Sequence, residues 1–372
     1  MAAFNGQLRS NEIFSALYNM IISQEVFADN LGEHQTLVDK ARVDGSLFGD
    51  TKLYYSTDVL KSAPWGNDAE AANLLALHRP AAPKCQAIHL DVFRQICLTV
   101  DNYLSKRAWA DEGAFSSFNG VMLGWMRETK RVYDGTLYNV FIGTTVSPKA
   151  AQTREIAVKG LSDAKEEAML IAQGLADLMV EMGDYSREFN DNEFLRSYAK
   201  EGIKVIWNSK FVNKIKKIDL PTIFHKDGLV DKFEEEILPS RYFGRNVVES
   251  DIGSGKIIGA DGAYDPTKGT LRAKAEFDYN SKHYFPGDAL AESGTYVAVV
   301  GGLEASQVYI EDADIICKVL VKLPPYMSAF EVGTSFFNPK SLTENHYLTF
   351  GHNTIEYLEN YPFITVKAVS AE

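Results

Sequence analysis

Gly253-Ser254-Gly255-Lys256 is the stretch that comes nearest to a phosphate-binding loop. Such a loop cradles phosphate on backbone N–H groups and holds magnesium through a Ser or Thr placed after the lysine. Here Ser250 stands where the first glycine is required, and Ile257 follows Lys256. The dinucleotide fingerprint fails as well, because Gly259 comes one residue late and no strand-then-helix pattern surrounds it. The stretch reads as a turn exposed to solvent.

The seven histidines are His34, His78, His89, His225, His283, His346 and His352, and no two have the i, i+4 spacing of a helical zinc site. His346 and His352 are the closest pair, and with Glu344 and Glu356 they form a candidate metal set for a metal-dependent hydrolase. No G-x-S-x-G elbow surrounds any serine. The paired acids Asp312 and Asp314, and the run Glu234 to Glu236, lie in charged stretches that read as exposed. Acid–base work would require their burial. Cys85, Cys97 and Cys317 are odd in number and widely spaced, which excludes a disulfide framework. Their apolar neighbours read as those of buried free thiols. No catalytic, cofactor-binding or metal residue is assigned. The expectation is a structural protein with no cofactor, not an enzyme.

The chain has 372 residues and a net charge of −12, with 45% hydrophobic and 24% charged residues, the balance of a folded soluble protein. An acidic chain cannot neutralise phosphates over its whole surface. The one dense basic run, Lys204 to Lys217 with Lys210, Lys214 and Lys216, reads as the solvated face of a short helix. No apolar stretch is long enough for a bilayer, and Arg9, Glu12 and Glu25 interrupt the N-terminus, so neither a signal nor a transit peptide is expected. Folding in the cytoplasm is the expectation.

The elements follow from periodicity. Ile13, Phe14, Leu17, Ile21 and Val26 predict an amphipathic helix from Ser10 to Phe27 within an arm, residues 1–44. Residues 50–100 predict a long β-hairpin. Leu53, Tyr55, Thr57 and Val59 share one face of its first strand, and Ile88, Leu90, Val92, Ile96, Leu98 and Val100 share one face of its second, with Arg94 the exception. Its connection, Lys61 to Lys84, carries a helical patch from Asp68 to Leu77 and is a projection longer than a turn requires. Phe115, Phe118, Met122, Trp125, Met126, Thr129 and Tyr133 predict a long helix within 111–145, whose polar face carries Arg127, Glu128, Lys130, Arg131 and Asp134. A second helix is predicted from Ser162, its cap, to Met182, stopped by Gly183. Strands are predicted at Ile203 to Trp207, Leu271 to Phe277, Tyr296 to Val300, Asp314 to Val321 and Phe363 to Val369, and a helix at Ser209 to Ile218. The class is α+β with mostly antiparallel strands. The aromatic pairs Tyr284-Phe285, Phe336-Phe337 and Tyr361-Pro362-Phe363 read either as core or as subunit interface.

This order of elements resembles the major capsid proteins of tailed bacteriophages, whose shell fold is shared with encapsulins and the herpesvirus capsid floor. Residues 83–146, from PKCQAIHLDVF to TLYNVFIGTTV, resemble the returning strand of the extended loop running into the spine helix. Residues 198–224, YAKEGIKVIWNSKFVNKIKKIDLPTIF, are similar to a strand-and-helix passage of the axial domain. The resemblance implies an N-terminal arm (1–44), an extended loop (45–100, tip 61–84), a spine helix with peripheral domain (101–160), an axial domain (161–330, with an insertion at 243–296) and a closing β-region (331–372). It implies hexamers and pentamers of the chain itself, an icosahedral shell around double-stranded DNA bound without sequence preference, and a virion location after assembly in the host bacterial cytoplasm. A separate scaffolding protein and a portal are implied partners, and a membrane is not. An encapsulin-like compartment and a hydrolase are the competing expectations.

Overall fold

The structure, a computed structural model, describes residues 36–44, 51–62, 79–101, 112–216, 234–248, 251, 257–259, 261–274, 284–290, 292–296 and 307–370. In chain order these form α1 (Leu37–Ala41), β1 (Arg42–Asp44), β2 (Thr51–Ser56), β3 (Lys84–Asp101), α2 (Glu112–Thr144), β4 (Thr153–Lys159), α3 (Ala164–Gly183), β5 (Lys204–Asn208) and α4 (Ser209–Lys216). They continue with β6 (Glu234–Leu238), β7 (Gly244–Asn246), β8 (Leu271–Ala273), β9 (Val308–Glu311), β10 (Ile315–Leu320), β11 (Tyr326–Asn338), β12 (Thr343–Asn353) and β13 (Phe363–Ser370). The expected helices at Ser10 to Phe27 and Asp68 to Leu77, and the residues 252–256 that hold the glycine-rich turn, lie outside the described residues.

Three sheets are arranged along α2. The first has the order β1-β11-β12-β3-β2, the second β4-β13-β10-β5-β6 and the third β7-β9-β8. Pairing is antiparallel except at β1–β11, β4–β13 and β5–β6. The α+β reading therefore holds. The strands of residues 331–372 are shared between two sheets, since β12 pairs with β3 and β13 with β10 and β4.

The expected hairpin forms over only part of its length. β2 pairs with β3 from Thr51↔His89 to Ser56↔Lys84, and the rest of β3 pairs with β12, from Asn353↔Leu90 to Thr343↔Asp101. β3 alternates as expected, with even positions half-buried or buried from Gln86 to Val100. Arg94 keeps its place in that row by stacking over the Tyr133 ring, 5.2 Å from its centroid. The apolar row Leu53, Tyr55, Thr57 and Val59 faces solvent, with Tyr55 66% exposed. The largest of the missed elements is the hairpin β11–β12. Its alternation is diluted by Gly333, Gly351 and polar side chains, so no continuous apolar face announces it.

The polar face expected on α2 is also corrected. Lys130 and Asp134 are buried, because from Tyr133 onward the helix is covered on nearly every side. Leu37, Val38 and Ala41 of α1 pack with Tyr133, Leu137, Tyr138 and Ile142 of α2, Phe350 of β12 and Ile206, Leu320 and Phe363 of the second sheet. The second sheet's other face packs on α3 through Ile171, Leu175, Leu178, Met179 and Met182. Asp163, not Ser162, caps α3, its carboxylate accepting from the Lys165 amide at 2.9 Å. Gly174 lets α3 approach β4; a Cβ there would lie 2.7 Å from Ile156 Cδ1. The third sheet has its own core of Val247, Ile257, Ile258, Tyr264, Leu271, Ala273, Leu290, Val308 and Ile310.

Gly143 marks the closest approach of α2 to the start of that third unit, where a Cβ would run into the Tyr242 carbonyl. Backbone cannot swing aside as a flexible side chain does. Gly143→Ala should therefore destabilise the isolated subunit by about 2 kcal/mol or more in urea unfolding. Gly124→Ala, on the same helix with nothing within 4 Å, should stabilise it by up to about 1 kcal/mol. Equal midpoints for the two variants would refute the close-packing argument.

Candidate functional site

The structure does not bring the metal candidates together. His346 and His352 share the β12 face but lie six residues apart, about 20 Å along an extended strand. His346 Nε2 is 4.0 Å from Glu344 Oε1, and Glu356 is exposed beyond the strand. His352 is buried, and its Nδ1 faces the Asn353 carbonyl at 2.9 Å. A carbonyl only accepts, so Nδ1 carries the proton and Nε2 accepts from the Tyr133 hydroxyl at 3.3 Å. Burial lowers the pKa of this histidine and keeps it neutral. Among the described residues no group of three His, Cys, Asp or Glu side chains could hold a metal ion.

The paired acids serve as ion-pair partners. Glu234 and Glu236 of β6 both bind Lys40 of α1, and Glu234 also binds Lys204. These lysines lower the Glu234 pKa, Lys204 first and then Lys40. Asp314 pairs with Lys159 at 2.5 Å. Cys317 is buried as expected, and burial drives its thiol pKa far up. Cys85 and Cys97 are exposed, because odd positions of β3 face outward. Of the aromatic pairs, Phe363 is core while Phe336 and Phe337 are exposed.

Two buried polar centres were not foreseen, and both fasten α2. In the first, Asp134 pairs with Lys130 at 3.0 Å and accepts from the Tyr326 hydroxyl at 2.7 Å, with Arg42 of β1 at 3.6 Å. Lys130 also reaches Ser328 and Glu331 of β11 and lies over the Phe350 ring. Burial, and then the Asp134 charge, hold the Tyr326 hydroxyl protonated. A buried pair with this many partners fixes how β1, α2 and β11 fit together. The i, i+4 spacing of Lys130 and Asp134 is the one sequence signal that could have found it.

In the second centre, Lys318 of β10 lies wholly buried at the carboxyl end of α2. Its ammonium donates to the Thr145 carbonyl at 2.7 Å and to Thr365 Oγ1 at 2.8 Å, and it sits over the Phe363 ring. The last turn of α2 has no basic residue of its own, so β10 supplies the amino group that donates to its end. A lysine at position 318 gives no hint of this, since only the tertiary fold puts it against a helix end.

Several exposed apolar side chains gather on the strands of the first sheet. Leu53, Tyr55, Val59 and Leu60 on and beyond β2, Phe93 on β3, and Phe336, Phe337 and Leu342 at the β11–β12 tip are all exposed, Leu60 by 77%. A sheet leaning on one long helix, a second sheet covered on both faces and a two-stranded ribbon make up an α+β fold. It is the fold of tailed-phage capsid proteins. The chain matches the capsid structure of Staphylococcus phage Andhra with a TM-score of 0.58 over 90% of this chain and 84% of that one, at 8% identity. It matches a chain in the structure of head fiber and inner core protein gp22 of native bacteriophage P68 with a TM-score of 0.56 over 88% and 83%, at 10% identity. No protein-family model matches the chain, and no curated protein matches it.

Burial lowers the Lys318 pKa from 10.5 to about 7, with Lys367 repulsion adding to it. Between those values the unfolded chain holds a proton that the folded chain has released, so this residue makes stability rise with pH from about 7 to about 10. Below pH 7 the cost of burying the charge is constant. Lys318→Met should flatten the pH dependence of unfolding free energy between pH 7.5 and 9.5 by up to about 1.4 kcal/mol per pH unit. Parallel curves for wild type and variant would refute a neutralising Lys318.

Proposed function

We propose that the chain is a subunit of a tailed-phage capsid shell, assembling with copies of itself through hexamers and pentamers around double-stranded DNA. The likeness of fold over about nine-tenths of the chain carries this reading. The exposed apolar side chains on the ribbon and on the β11–β12 tip support it, because such patches mark surfaces that meet other proteins. Closed symmetry repeats each modest contact many times, so no single one need be strong. The net charge of −12 suits a container that encloses DNA without gripping it.

On this reading residues 1–44 are an arm, 45–100 the extended loop, 101–160 the spine helix with the peripheral domain, 161–330 the axial domain and 331–372 the closing strands. The insertion, 243–296, supplies β7 and β8 of the third sheet, and β9 follows it in the chain. The chain acts as a structural protein, not an enzyme. Its place is the virion, reached by assembly in the host cytoplasm with a separate scaffolding protein and a portal.

Negative-stain electron microscopy of the purified protein, alone and with a candidate scaffold, tests the reading. Closed shells or capsomer rings are expected, and a discrete monomer or dimer under every condition would overturn it. Shells purified from cells with a protein cargo in place of DNA would indicate an encapsulin-like compartment. Deleting residues 61–82, which spares Lys84 of β3, should leave a folded subunit that no longer closes shells. Normal particles from that deletion would remove the tip from assembly.

A further inference from the structure

Where β2 ends, the ribbon is fastened to a loop of its own chain. Asp58 Oδ2 accepts from Arg187 Nη1 at 2.7 Å, and Oδ1 accepts from the Leu195 amide at 3.0 Å and from its neighbour Val59 at 2.9 Å. The Thr57 carbonyl accepts from Arg196 Nη2 at 2.5 Å. On the returning strand, Lys84 lies over the Phe194 ring, and the Gln86 amide both donates to the Tyr357 carbonyl at 3.0 Å and accepts from the Glu359 amide at 3.1 Å.

The receiving loop, residues 184–198, is itself built to hold a shape. Ser186 and Arg196 exchange backbone bonds at 2.9 and 3.0 Å. The buried Asn190 side chain spans the Phe194 amide and carbonyl, and Phe189 and Phe194 are buried. Arg187 also donates to the carbonyl of Glu193, a residue held at φ 58°. Lys149 donates to the Arg187 and Asn190 carbonyls, and the Asp191 amide to the Glu359 carbonyl. Strained backbone of this kind persists only where its surroundings over-determine it.

We propose that this loop is a bracket that sets the angle at which the ribbon projects from the subunit, with Asp58 as its pivot. The inference rests on the reading of the ribbon as an assembly arm. A two-stranded ribbon is marginal by itself and free to twist. A lone exposed ion pair would not hold it. A carboxylate that takes a guanidinium and backbone amides together is a stronger anchor, because each bond is charge-assisted and the loop has already lost its freedom. The Leu195 amide first, and then Arg187, hold the Asp58 carboxyl down to about 2, so the anchor stays ionised wherever the protein is folded at ordinary pH.

The test uses the full chain as unassembled subunit and as assembled product. Asp58→Ala should raise amide exchange tenfold or more in 52–56 and 85–88 while leaving exchange in β10 and β13 unchanged. It should also convert particles of one diameter into a mixture of sizes or open sheets. The exchanged pair, Asp58→Arg with Arg187→Asp, should recover part of the protection. Unchanged exchange in the ribbon would overturn the bracket, and raised exchange with particles of one size would overturn its control of the angle. Wild-type chains that form no shells under any condition would remove the assembly reading instead, and exchange alone would then decide whether the bracket exists.

Discussion

A helix of 33 residues, about 50 Å long, is too long for one sheet to cover, and the rest of this molecule follows from that constraint. The helix meets the sheets in turn. Tyr133 packs edge-on to Phe350 of β12, and Tyr138 packs edge-on to Tyr326 of β11. One turn on, Phe141 meets Phe363 of β13 in the second sheet, and Val140 lies with Tyr242 and Tyr309 of the third unit. The Tyr138 hydroxyl donates to the Pro324 carbonyl, in the passage that leads from β10 in the second sheet to β11 in the first. The helix is thus the common wall of the first two sheets, which share a core against it, and of the third unit, which has a core of its own.

Covering a helix on nearly every side leaves its polar residues nowhere to go. Lys130 and Asp134 would be ordinary surface residues on a half-exposed helix. Here they are satisfied by Tyr326, Ser328 and Glu331, all on β11, and by Arg42 of β1. The same logic runs through buried uncharged side chains on the strands. Asn353, buried, accepts from the Met327 amide and donates to the Pro325 and Thr354 carbonyls, and Asn208 donates to the Ile315 carbonyl. Such groups contribute little net stability, since water would have served them as well. They penalise every wrong register, because a one-residue slip strands a buried donor.

Local pattern made some of this legible and physics hid the remainder. The long helix, α3 and the alternation of β3 announce themselves because one face of each meets a core. β3 pairs with β12 across some 250 positions of chain, so the partner of its far half could not be read from its neighbours. Alternation identifies two faces without saying which is inside: the row holding Leu53 and Tyr55 faces water, and Cys85 and Cys97 follow the outward phase of β3. A buried lysine such as Lys318 looks like any other until β10 is laid against the end of α2. The histidines invite a metal reading only while β12 is unrecognised, because an extended strand holds His346 and His352 too far apart to share an ion.

The two five-stranded sheets are not treated alike. Every residue of β10 is buried, with α3 on one side of its sheet and α2 on the other. That sheet has no face to offer. The first sheet leans on α2 with one face only, and its other face and far ends carry Tyr55, Phe93 and Phe336 into solvent. Exposed aromatics scattered singly mean little, but these three lie on strands of one sheet. The closed packing is thus concentrated in the second sheet, and the first is covered on one face only. The bracket at Asp58 joins the two, since it fixes an outward-reaching ribbon to a loop anchored in the closed core.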